Sequence, residues 1–163
     1  MRFDSTADYD APADAVFAIM SQTAFQDEKV AVTCDLGGPT QVTQRGDRTV
    51  IRTERAYSSS VLPEVARRFV GERFVIVEEQ NWGPADQAGN RTGHLEMHIS
   101  GQPLTLVADL ALRNTATGSH TSVSGELKAR IPLIGGKIES AAAPLIKDGV
   151  QAEATQIRRW LAR

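Results

Sequence analysis

The chain has one cysteine, Cys34, in 163 residues. No intrachain disulfide can form, so nothing here requires an oxidising compartment. Cys34 has neither a histidine nor a second cysteine beside it in sequence. It is therefore expected as a half-buried helix thiol rather than a nucleophile. There is no excess of basic charge: 18 Lys and Arg stand against 20 Asp and Glu, a net of −2. Nucleic acid binding needs a clustered basic field, so no nucleic acid partner is expected. No stretch approaches the ~20 apolar residues of a membrane span, so no transmembrane segment is expected. The opening Met1-Arg2-Phe3-Asp4-Ser5 has no apolar leader core, and the expected compartment is the cytoplasm. Repeats, low-complexity tracts and linkers are also missing, and the length suits a single domain over 1–163.

What the chain does have is an order. Residues 2–9 alternate weakly as a strand. Asp10-Ala11-Pro12 then opens a helix with an apolar stripe of Val16, Phe17, Ile19 and Met20, Pro12 being tolerated in a first turn. A second small helix starts near Thr23 and is stopped by Gly37-Gly38-Pro39. Residues 39–45 and 48–58 read as a hairpin. A long connection, 59–71, contains a possible short helix over 62–70. Strands follow at 73–82, 91–99, 103–113 and 119–131. A closing helix spans 135–162, and Pro144 within it is expected to kink or split it.

The last three strands alternate most clearly. One parity carries Leu95, Met97 and Ile99, then Leu104, Leu106, Ala108, Leu110 and Leu112, then Val123, Gly125, Leu127, Ala129 and Ile131. The other carries His94, Glu96 and His98 and their polar counterparts. Successive strand side chains point to opposite faces, so the sheet has one apolar and one wet face. The closing helix, about 40 Å long, can cross that apolar face. It presents Ile134, Ile138, Ala142 and Leu145 at helical spacing, with small residues, Ala141 to Ala143, Gly149 and Ala152, on or beside the same stripe. Small side chains facing Ala108, Gly125 and Ala129 leave either very close layers or a cavity.

In an antiparallel run, alternate connections share an end. The 59–71 connection, the 100–103 turn and the 131–136 segment meet there with Leu62, Phe69, Val70, Pro103, Leu133 and Ile134. So many apolar residues in connections mark either a capped core end or the mouth of an apolar pocket. The expected mouth lies between 59–71, 100–103 and 131–138. The expected ligand-binding residues are Phe69, Met97, Ile99, Leu104, Leu106, Leu127, Ile134, Ile138, Ala142 and Leu145.

No catalytic set emerges. His94, His98 and His120 all fall on the polar parity. His94 and His98 lie about 13 Å apart on a strand, too far to share an ion, so no metal site is expected. Arg55, Tyr57 and Glu78 are possible polar anchors: Arg55 and Glu78 either pair inside or lie at the wet edge of the sheet. Trp82-Gly83-Pro84 reads as a tight connection with an aromatic lid over the core edge. Gly135-Gly136-Lys137 lacks the full phosphate-loop pattern and reads as a sharp strand-to-helix corner. No cofactor is called for.

Several strings carry a resemblance. They are Asp10-Ala11-Pro12-Ala13-Asp14-Ala15-Val16-Phe17, Arg67-Arg68-Phe69, Trp82-Gly83-Pro84-Ala85-Asp86, Ile131-Pro132-Leu133-Ile134-Gly135-Gly136-Lys137 and Arg158-Arg159-Trp160-Leu161. With the element order, they resemble the DUF2505 family of the START-like, or SRPBCC, superfamily across nearly the whole chain. The resemblance implies an α+β helix-grip fold: a curved antiparallel sheet wrapped around a long C-terminal helix, with two small helices after the first strand. It implies a pocket and transfers no catalytic residue. The function expected is non-enzymatic binding or transport of a hydrophobic small molecule or lipid between sheet and helix. Two alternatives stand beside it: a polyketide cyclase/dehydratase-like enzyme using Arg55, Tyr57 or Glu78, and a ligand-free interaction domain with a filled core.

Overall fold

A computed structural model describes all residues from Met1 to Arg163. The elements follow the chain as β1 (Arg2–Tyr9), α1 (Ala13–Met20), α2 (Thr23–Thr33), β2 (Thr40–Arg45), β3 (Arg48–Ser58), a 3-10 turn (Ser59–Val61) and α3 (Glu64–Val70). Then come β4 (Arg73–Trp82), β5 (Arg91–Ile99), β6 (Leu104–Asn114), β7 (Ser119–Ala129) and α4 (Gly135–Leu161). The seven strands form one sheet in the order β1-β7-β6-β5-β4-β3-β2. Every neighbouring pair is antiparallel.

The parity read from the sequence is the parity of the sheet. Leu95, Met97, Leu104, Leu106, Ala108, Leu110, Leu112, Leu127 and Ala129 are buried, while Glu96, His98 and Lys128 are exposed. Gly125 sits in the middle of β7 opposite Ala108. A Cβ there would fall 2.1 Å from the Val107 carbonyl oxygen and 2.4 Å from the Ala108 Cα. Only glycine permits that approach, which is how β7 coils tightly over β6 and the sheet curves.

The two small helices lie at one end of the groove. Pro12 stands just before the first turn of α1, and no side chain of its own caps that helix. Asn114 supplies the cap instead, its Oδ1 accepting the Ala13 N–H at 2.8 Å. Helix α2 buries Phe25, Gln26, Lys29 and Val30. Phe25 meets Trp160 edge to face with centroids 5.5 Å apart, fastening α2 to the last turns of α4. Glu28 tightens the join by accepting from Trp160, Gln156 and Arg163.

Helix α4 runs unbroken through Pro144, so the expected split does not occur. Both Ser140 and Pro144 are exposed, and water can bond the Ser140 carbonyl that the proline leaves without a partner. Strand β7 ends at Ala129 rather than 131. The corner that follows includes Leu133 in the left-handed region at φ 66°, a conformation uncommon for a residue with a side chain. No helix is long and apolar enough to cross a membrane.

Candidate functional site

Helix α4 packs on β7 and β1 and against the three shorter helices, and makes no comparable contact with β3 to β5. The gap that remains is a cavity of about 430 Å³, lined mostly by hydrophobic side chains. Its sheet wall runs from β3 across to β7 and Tyr9 at the end of β1, and its roof is the face of α4 that carries Ala142, Ile146, Gly149, Val150 and Glu153. The small residues of that face leave the space open. Five lining residues are also exposed to solvent and mark the rim: Val32 at the end of α2, Val61 in the 3-10 turn, His98 on β5, and Leu145 and Asp148 on α4.

Of the ligand-binding residues expected from sequence, Met97, Ile99, Leu104, Leu106, Leu127, Ala142 and Leu145 line this cavity. Phe69 and Ile138 do not. They line a separate apolar pocket of about 40 Å³, enclosed by α3, the 102–103 turn and the start of α4. Ile134 borders neither space and packs, half-buried, on the core. Exposed lining residues thus lie at the end of α2, in the 59–71 connection, beside the 100–103 turn and on α4, and none of residues 131–138 lines the cavity.

Arg55, Tyr57 and Glu78 all line the cavity. Arg55 and Glu78 lie inside rather than at a wet edge, and Arg55 Nη2 donates to Glu78 Oε2 at 2.5 Å. Gln80 shares the inward parity of Glu78 on β4, whereas sequence reasoning missed Lys29 and Glu153. Lys29 of α2 is wholly buried, with Nζ 3.1 Å from Glu153 Oε2 and 3.5 Å from Glu78 Oε1. Gln80 Nε2 donates to Glu78 Oε1 at 2.8 Å, and Gln80 Oε1 accepts from Trp82 Nε1 at 2.8 Å. A polar line thus crosses the oily wall, with two cations balanced by two carboxylates. Arg55 Nε remains buried without a partner. Lys29 could have been found: it lies one helical turn after Phe25, on the buried face of α2.

Burial alone would raise the Glu78 pKa, but Lys29 and Arg55 outweigh it, with Gln80 adding a hydrogen bond, and the carboxyl is held down to about 2. Burial opposes the charge on Arg55, yet Glu78 together with Tyr57 and Glu153 outweighs that too, and the guanidinium pKa is raised. Burial likewise raises Tyr57 above an ordinary phenol, against the pull of Arg55, and pushes Tyr9, also on the wall, to about 12. Both phenols are proton-bearing donors near neutral pH. Trp82 is not a lid: its ring is buried and meets Phe17 edge to face at 6.0 Å. His94 and His120 stay on the far face, where His94 lies 3.6 Å from Asp109 and His120 bonds Asp8 at 2.7 Å, while His98, exposed, borders the cavity at its rim. Nowhere do three His, Cys, Asp or Glu side chains gather as a metal would need.

A family described as a protein of unknown function, DUF2505, matches residues 4–161. The chain belongs to the DUF2505 family. No curated protein sequence matches this DUF2505 chain. Solved structures share its fold. The aromatase/cyclase ZhuI from a Streptomyces species superposes with a TM-score of 0.61 at 8% identity, covering 100% of this chain and 94% of that one. Human STARD10 gives 0.62 at 6% identity, covering 99% of this chain and 64% of that one. TTHA0849 from Thermus thermophilus gives 0.59 at 14% identity, covering 98% of this chain and 95% of that one. At these identities the likeness is one of fold: this DUF2505 chain has the START-like helix-grip architecture.

Proposed function

We propose that this protein binds a hydrophobic small molecule or lipid in the cavity between the sheet and α4, without transforming it, and so acts as a carrier in the cytoplasm. The observation that carries the reading is the cavity itself. Its 430 Å³ falls within the roughly 300–1,000 Å³ typical of small-molecule sites, and its wall is apolar with a few converging polar groups. Met97, Ile99, Leu104, Leu106 and Leu127 form the floor, with Ala142 and Leu145 overhead. Arg55 and Tyr57 offer donors to a polar end of the ligand. In this reading Phe69, Ile134 and Ile138 support the wall from behind rather than touching the ligand.

A cyclase/dehydratase-like reading gains from Arg55, Tyr57 and Glu78 facing the cavity, and from a structural neighbour that is an aromatase/cyclase. The acid–base chemistry runs against it. A general acid or base works best with a pKa near the working pH. Glu78 is far below that, Tyr57 is raised, and Glu78 already accepts from Arg55 and Gln80.

Substituting Ala142→Trp places an indole inside the cavity and is expected to abolish uptake of a fluorescent fatty acid analogue while the thermal midpoint stays within a few degrees. Unimpaired uptake by the folded variant would show that the binding wall has been misassigned.

A further inference from the structure

The largest unexplained feature outside the cavity is the end of the molecule beside its mouth. Leu133 is fully exposed, at 103% of its free area, on a backbone held at φ 66°. The Ile134 and Gly135 N–H groups close this corner on the Pro132 and Ile131 carbonyls, both at 2.9 Å, but the leucine side chain itself buries nothing. Such strain persists where the surroundings over-determine it, and it clusters at functional sites. Leu133 is not isolated. Val65 and Phe69, one helical turn apart on α3, are exposed, as are Val61 and Leu145. Phe69 and Leu145 border the same small pocket, together with Ile131 and Ile138 from either side of the Leu133 corner. Val61 and Leu145 also stand on the cavity rim. The oily tip is therefore continuous with the opening.

Its charge is the reverse of the chain's. Residues 64–73 and 128–139 carry Arg67, Arg68, Arg73, Lys128, Arg130 and Lys137 against Glu64, Glu72 and Glu139. That is an excess of three positive charges in a chain of net −2. All six cations are exposed. Two of the acids are engaged: Glu64 pairs with Arg68 at 3.0 Å, and Glu139 accepts the Ala129 N–H at 2.9 Å. Two further carboxylates sit back from the tip. Asp35 accepts the Ser58 N–H, and Asp148 lies about three helical turns along α4 from Lys137.

We infer that this tip docks on the surface of an anionic membrane, with Leu133 and Phe69 entering the headgroup boundary and the six cations lying over the lipid phosphates. Exposed apolar residues ringed by Lys and Arg are what interfacial attachment requires. Short-range burial of side chains adds to attraction for the negative leaflet, and both are needed for stable binding. A protein partner or a second copy would find hydrophobic surface here too, but the excess of one charge sign favours an anionic sheet over a like-charged copy of the same tip. The docked orientation brings the cavity mouth close to the lipid.

The test is co-sedimentation of the full chain with vesicles of phosphatidylcholine alone and of phosphatidylcholine mixed with phosphatidylserine. Binding is expected to the mixed vesicles, to weaken as salt rises, and to fall tenfold or more in Leu133→Asp. That change is on the surface, and Asp tolerates positive φ, so circular dichroism and thermal midpoint should be unchanged. Arg67→Glu with Arg68→Glu should remove the lipid dependence. Leu133→Asp, which lies outside the cavity, should still take up the fluorescent fatty acid analogue from solution, which separates this inference from the ligand reading. Equal binding to both vesicle types, no binding to either, or a concentration-dependent dimer that Leu133→Asp abolishes would each overturn it.

Discussion

Glu78 is enclosed by Lys29, Arg55 and Gln80, and its charge is what keeps two buried cations in place. Removing one partner of a buried ion cluster leaves the others uncompensated, which costs about 3–5 kcal/mol. Glu78→Gln is expected to lose that much stability in urea unfolding; a loss under about 1 kcal/mol would mean the cluster is better solvated than its burial implies. The same residue sets an acid dependence. Its folded pKa, about 2, lies below the ordinary 4.5. Its stabilisation is complete above the ordinary value and disappears as pH falls from there towards 2. The wild type should lose thermal midpoint through that window, and Glu78→Gln should lose less. Parallel curves for the two proteins would contradict the assignment.

At the scale of elements, Gly125 carries the bend of β7 and α4 carries the roof. Alanine at 125 would drive a methyl carbon into the backbone of β6. Gly125→Ala should destabilise by more than about 2 kcal/mol, as backbone conflicts in a central strand do. Urea denaturation measures it, and a neutral result would mean β7 can relax away from β6. Strand parity was legible in the sequence because alternation is local: Leu104 to Leu112 declare their face without reference to any other strand. The polar cluster was not legible in the same way. Lys29 shares the apolar face of α2 with Phe25, but its partner Glu153 lies 124 residues away in sequence. Their pairing depends on α2 and α4 being fastened by Phe25, Trp160 and Glu28. The placing of Phe69 and Ile138 was missed for a related reason. The alternation of connections gives the end of the sheet, but α3 packs over Ile138 and Ala142 around a small pocket of its own, which holds Phe69 and Ile138 outside the cavity. Of the two outcomes expected of Pro144, a kink or a split, the split does not occur, because a helix packed on one face bridges a missing hydrogen bond on its wet face.

The molecule as a whole is a curved sheet whose oily face meets its closing helix along one edge and leaves it along the other. Contacts of α4 with β7, β1 and the small helices hold that edge shut. The uncovered floor over β3 to β6 would be a cost in a protein that kept it empty, because an apolar cavity gives up the contacts that normal core density supplies. A bound apolar molecule restores them. It follows that the protein should unfold at a higher temperature with such a molecule than without it. The most direct test is native mass spectrometry of the purified, untagged chain, compared with its denatured mass. An additional apolar molecule of defined mass, present on the native protein and lost on denaturation, is the predicted result. A native mass equal to the chain alone, unchanged after incubation with mixed cellular lipids, would contradict the carrier account.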